Sequence, residues 1–291
     1  MFDRVPTEIA LRILHDVAES DREAGIALAQ TCQVAYSIVT PILFRRVGVL
    51  QSNIARVERV LRRPDLASLV IELTVITLED KWKPKEEIFA HLSNLEYLRA
   101  TDDVVAIALS GLPPTARSSL RKLWFTKMES PFMMEIPSTV THLCLPAILP
   151  IINRAPMKLI VQQVIKTVSV THLACDFTHP DWHKIDLKPD HLVQSLCEIF
   201  ETVGDRMQLV SLRFGGVVAP LLPDDWETVT IALASAIKDN DRAVHWMNKI
   251  SAWYDERYCG GFYTEEMAAL EDTMDGLDVW TETQALAEFL R

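Results

Sequence analysis

Hydrophobic positions recur with helical spacing from the first residues onward. Ile9, Ile13, Leu14 and Val17 fall on one face of a helix expected from about Pro6 to Ala18. Pro6 suits a first helical position, and Glu8 in the first turn favours the positive end of the helix dipole. A second helix carries the stripe Leu28, Cys32, Ala35, Tyr36 and Val39. Ser20 and Glu23 have the spacing of a capping box for its start. Thr40 is expected to cap a third helix that begins at Pro41 and presents Leu43 and Phe44. So short a stretch cannot bury these faces on itself, and the pattern predicts a partner surface. The other reading is an ordinary helical cap on a larger core.

Farther along the chain the period changes to two. Short strings place an apolar residue, two residues, a leucine, one residue and another mostly apolar side chain. They are centred on Leu73, Leu98, Leu123, Leu143, Leu173 and Leu212. Successive centres are 25, 25, 20, 30 and 39 residues apart. The early spacings suit leucine-rich repeats, with one short strand per repeat and neighbours covering one another's edges. Lys85–Leu92 and Asp190–Val203 read as intervening helices, the second with Leu192, Leu196, Ile199 and Phe200 inside. A compact α/β domain holding these strings by coincidence is the alternative.

After Pro223 the strand pattern is expected to stop. Thr228–Ile237, Glu265–Met274 and Thr281–Leu290 read as amphipathic helices closing the open end of the stack. The aromatics Trp246, Trp253, Tyr258, Phe262, Tyr263 and Trp280 read as core rather than as a recognition surface.

The N-terminal residues resemble an F-box. Val5, Pro6, Glu8 and Ile9 follow its Leu-Pro-x-Glu-Ile/Leu opening, and Ile13 and Leu14 match the aliphatic pair after it. Leu28, Thr31, Cys32 and Tyr36 follow its second-helix pattern, with Gln33 where an Arg is usual. Pro41, Leu43, Phe44, Arg45 and Val47 match the Pro-x-Leu-Tyr-Arg-x-Val run of many fungal members. The strings that follow resemble the divergent leucine-rich arrays of fungal F-box proteins. The resemblance implies that Val5, Pro6, Ile9, Ile13, Leu14 and Leu28 face the Skp adaptor protein, and through it a cullin.

Composition narrows the classes. Hydrophobic residues make up 49% and charged residues 24% of the 291, which suits a folded protein. No apolar run reaches the length of a membrane span, and the N-terminus lacks a signal-peptide order. Five widely spaced cysteines form no C-x-x-C pair, which suits free thiols in a reducing compartment, cytoplasmic or nuclear. Net charge is −11; residues 1–223 hold 24 basic and 25 acidic side chains, and residues 224–291 hold 5 and 15. That balance opposes nucleic-acid binding. The basic set Arg45, Arg46, Arg56, Arg59, Arg62 and Arg63 reads as a solvated helix face.

Catalytic signatures are missing: the sequence holds no phosphate-cradling glycine loop, nucleophile elbow or H-E-x-x-H helix. Ligand-type residues gather at His172, Cys175, His179, His183 and His191, with Asp176 and Asp181 among them. Strand alternation sets His172 and Cys175 on opposite faces, so no metal and no cofactor are expected. The expected fold class is α/β. An F-box-like helical module (1–47) precedes an irregular leucine-rich-repeat-like solenoid (48–223), and an acidic helical C-terminal region (224–291) caps it. The expected function is non-catalytic: substrate recognition in a cullin ubiquitin ligase, holding an unknown target protein, with no nucleic acid and no membrane. The alternatives are a repeat scaffold without ligase function and a zinc-dependent enzyme using the His172–His191 cluster.

Overall fold

The computed structural model describes residues 6–76, 82–126, 135–146, 166–167, 169–177, 189–203, 206–215, 226–255 and 284–285. It is a mixed α/β protein: a helical N-terminus leads into a sheet whose first eight strands are parallel.

Three helices open the chain: α1 (Thr7–Ser20), α2 (Arg22–Ala29) and α3 (Gln33–Arg45). Each packs on the other two. Two local expectations are corrected here. The cap of α2 is Asp21, not Ser20: the Asp21 carboxylate accepts from the Glu23 and Ala24 amides at 2.9 and 3.0 Å. Ser20 is still the last residue of α1, where its hydroxyl donates to the Asp16 carbonyl at 2.7 Å, so the extended capping position falls to Asp21. Nor does a new helix begin at Pro41. Helix α3 starts after Cys32, whose Sγ accepts from the Ala35 amide at 3.4 Å, and it runs through Pro41. An interior proline costs about 3 kcal/mol. Val39 and Leu43, on either side of it, belong to the small apolar core the three helices share, and that packing offsets the cost. Gly25 lets α2 approach closely, since a Cβ there would lie 3.1 Å from Leu43 Cδ2 and 3.2 Å from Ala18 Cα.

No residue separates α3 from the first strand. Arg45 ends the helix and Arg46 begins β1 (Arg46–Leu50), so the module boundary expected after Val47 falls inside a strand. Next come α4 (Ile54–Leu61), α5 (Pro64–Ala67), β2 (Glu72–Ile76), β3 (Tyr97–Ala100), α6 (Asp102–Gly111), α7 (Pro114–Ser119) and β4 (Lys122–Phe125). The remaining elements are β5 (His142–Pro146), β6 (His172–Phe177), α8 (Pro189–Val203), β7 (Leu209–Gly215), α9 (Trp226–Lys238), β8 (Ile250–Asp255) and β9 (Gln284–Ala285). The helix expected over Lys85–Leu92 is a single 3-10 turn, Glu86–Phe89, which is enough to bury Ile88 and Phe89. Gly111, at the end of α6, meets that turn; a Cβ there would lie 2.2 Å from the Glu86 carbonyl oxygen.

Among the described residues, nine strands lie in sequence order, and only the last of them runs antiparallel. Parallel neighbours need a crossover each, and here every crossover advances by one strand. One row runs through the register: Val47, Leu73, Leu98, Leu123, Leu143, Leu173, Val210 and Ile250 pair strand to strand. All eight are buried in one apolar core with residues of α4, α6, α8 and α9. Leu123→Ala, in the middle of the row, is expected to cost about 3 kcal/mol in denaturant unfolding. A loss below about 1 kcal/mol would mean that the row does not hold the sheet to its helices.

The register corrects one centre of the repeat. Leu212 pairs with Cys175, while Val210 stands opposite Leu173. Both point inward because they are two residues apart, so the string match fits either. The strand pattern also extends past Pro223, against expectation. Ile250–Asp255 pairs with β7, and Gln284–Ala285, expected in a helix, pairs with β8. The helix expected over Glu265–Met274 lies outside the described residues.

Candidate partner-binding surfaces

The N-terminal helices bury little and show much. Their shared core is Ala18, Val39 and Leu43, with Leu28, Ala29, Ile42 and Phe44 packed against it. Of the residues expected to face an adaptor, Ile9 and Ile13 are 52% and 49% exposed. Pro6 is exposed, and Leu14 and Leu28 are half-buried. Val5 lies outside the described residues. Leu11, Ile26, Val34 and Tyr36 are exposed as well, Val34 most of all at 61%. Tyr36 and Cys32 were expected on the inner stripe of the second helix; Ala35 and Val39 hold that place instead. In a helix of three turns, residues one apart lie on adjacent flanks, and spacing alone does not say which flank meets the neighbour.

The polar face of the sheet is the second surface. Nearest the strand starts, Arg46, Glu72, Tyr97, Lys122, His142, His172 and Leu209 stand side by side and half-exposed. Arg46 pairs with Glu72 at 3.3 Å. His142 and His172 stack with ring centroids 4.1 Å apart and planes 9° apart. Each follows a threonine in an identical Val-Thr-His-Leu run, and each threonine hydroxyl lies 2.9 Å from the histidine Nδ1.

Two residues along, the face is buried. Trp124 lies with Cys144 and Ala174, small side chains of the next two strands, and Tyr97 packs against them. The Arg99 guanidinium sits 3.9 Å from the Trp124 ring centre and that of Arg213 5.2 Å from it, which makes cation–π contacts to one indole. Arg213, fully buried, meets the Asp176 carboxylate at 3.3 Å. This assembly draws residues from five consecutive strands, β3 to β7, and only the strand register brings them together.

Burial, more than the nearby His172 and Lys122, lowers His142 to a pKa of about 4. Burial pushes the Cys144 thiol well up and that of Cys175 to about 12, so neither supplies a thiolate nucleophile near neutrality. His142 predicts a pH dependence. The unfolded imidazole protonates near its ordinary value of 6.5 and the folded one only near 4, so the unfolded chain binds more protons in between. His142 therefore contributes stability that is fully present above pH 6.5 and is lost as the pH falls through 4. Its half-exposure reduces the effect to about 1–2 kcal/mol. His142→Gln should flatten the unfolding free energy across that window; an unchanged slope would assign the loss to other groups.

His172 and Cys175 lie on opposite faces: His172 stacks on His142, and Cys175 sits in the main core. His179, His183 and the side chain of His191 lie outside the described residues. Among the described residues, no three His, Cys, Asp or Glu side chains gather as a metal site, and no helix is long and apolar enough to cross a membrane. No protein-family model matches the chain, and no curated protein matches it.

Proposed function

We propose that this protein is a substrate-recognition subunit of a cullin ubiquitin ligase. The N-terminal helices dock on the Skp adaptor, and the sheet, an irregular leucine-rich-repeat-like solenoid, holds a target protein. The observation that carries the reading is the apolar side chains that α1–α3 leave exposed, with Ile9 and Ile13 one turn apart on α1. Six large apolar side chains are exposed on three helices whose common core is three residues and their neighbours. So many exposed apolar side chains on so small a core suit a docking surface. Ile9 and Ile13, two of its members, match the F-box positions that meet the adaptor. The strands in sequence order, with one apolar row through the register, support the solenoid reading. The half-exposed rim from Arg46 to His172 gives it a polar surface for a target.

The chemistry belongs to other subunits. This chain contributes proximity: a target held on the sheet is raised in local concentration near the ubiquitin-loaded enzyme. The test is co-expression of the full chain with the Skp adaptor and a cullin, followed by affinity purification. Co-elution in fixed proportion is expected. A chain that elutes alone would reject the ligase reading and leave a repeat-type interaction scaffold.

A further inference from the structure

An arginine stripe runs beside the exposed apolar face. Arg56 and Arg59 lie on α4, Arg62 and Arg63 directly follow it, and all four are exposed. Arg56 and Arg59, three residues apart, share an arc of the helix, while Val57 and Leu61 bury the opposite side. The segment 54–63 has one acidic residue, Glu58. Its carboxylate turns away to accept from the Trp82 indole N–H at 2.9 Å. Arg63 forks onto Asp65 at 2.6 and 3.3 Å, and the Tyr36 hydroxyl lies against the same guanidinium. The stripe is therefore continuous with Tyr36, a member of the exposed apolar face. Among the described residues, Arg56, Arg59 and Arg62 form no ion pair.

That arrangement is electrostatically unfavourable on its own. Like charges three or four residues apart on a helix repel. The dipole of α4 favours cations at its C-terminal end, which accommodates Arg59 and Arg62. It disfavours Arg56, which stands in a first turn without an acidic residue. In a chain of net charge −11 the stripe is basic, and among the described residues Asp65, on Arg63, is the one carboxylate that pairs with it. Guanidinium groups are suited to carboxylates, which they grip with paired N–H donors.

We infer that this stripe extends the docking surface of α1–α3 and receives a cluster of carboxylates on the partner protein, next to the partner's apolar contact. The inference rests on the docking reading above. Such a contact at the rim acts mainly on the association rate and its salt dependence.

The test measures association of the full chain with purified Skp adaptor at rising ionic strength. It compares the native chain, the triple variant Arg56→Glu/Arg59→Glu/Arg62→Glu, and the neutral triple Arg56→Gln/Arg59→Gln/Arg62→Gln. The charge-reversed variant should associate at least about tenfold more slowly at low salt, with the salt dependence flattened or inverted. The neutral variant should fall between, and dissociation should change little. Thermal unfolding is followed alongside; if the Glu triple loses its fold, the Gln triple reads the same quantity. An unchanged rate and salt slope, with the native chain binding normally, would overturn the stripe inference and leave the docking reading intact. A native chain that does not bind the adaptor would overturn both.

Discussion

Asp176→Ala is expected to destabilise the protein by about 3–5 kcal/mol, although it removes only one small side chain. Its partner Arg213 is fully buried, 3.3 Å away, under the edge of the Trp124 contact. Deleting the carboxylate leaves a guanidinium in the interior facing the gap. The desolvation it has already undergone is then no longer matched by that neighbour's charge. The double variant Asp176→Leu/Arg213→Met should recover most of the loss, because apolar groups of similar volume replace a buried pair at little net cost. Denaturant unfolding of the two variants decides the matter. A single change worth less than about 1 kcal/mol, or a double variant no better than the single, would mean that the pair is not what holds this face together.

Ile13→Asp is expected to reduce adaptor binding by about a hundredfold or more while leaving the chain folded. Ile13 is 49% exposed on α1, so the free protein gives the new carboxylate ample water. In a docked state the same carboxylate would be stripped of water against an apolar surface, without a compensating bond. Stability should move by no more than about 0.5 kcal/mol, as at other surface positions. Val39→Asp provides the contrast: Val39 is fully buried in the core of the module, and its replacement should unfold the three helices. Normal binding by Ile13→Asp would end the docking reading. Unfolding by Ile13→Asp would make that residue part of an internal core, against its exposure.

Much of the sheet is legible in the sequence because its strands repeat a local rule. Leu73, Leu98, Leu123, Leu143 and Leu173 are named by their strings and meet in one register row. The rule weakens where a strand lengthens. In the seven residues of β7, Val210 and Leu212 both satisfy it, and only pairing chooses between them. It fails at β1, which follows a helix without a turn residue to announce it. It fails again at β8, where Trp246, Met247, Ile250, Trp253 and Tyr254 mimic helical spacing although Ile250 and Ala252 alternate with Ser251. On the surface, Ile9 and Ile13 are legible as a four-residue repeat. Arg99, Trp124, Asp176 and Arg213 are not, because contacts between distant segments exist only once the register is fixed.

The direct passage from Arg45 to Arg46 fixes an angle. A helix turns by about 100° for each residue, so the length of α3 sets the compass direction in which the exposed face of the module looks. Val39 and Leu43 tie α3 to its two companions, and the backbone of Arg45 accepts from the Ile71 amide at 2.9 Å, where the sheet begins. Adding one residue at the end of α3 would swing all three helices by roughly a quarter turn and advance them by about 1.5 Å. Adding four would restore the heading almost fully and shift the module outward by about 6 Å. The junction is thus a dial with discrete settings, and changing α3 by whole turns preserves the bearing of the module while altering its reach.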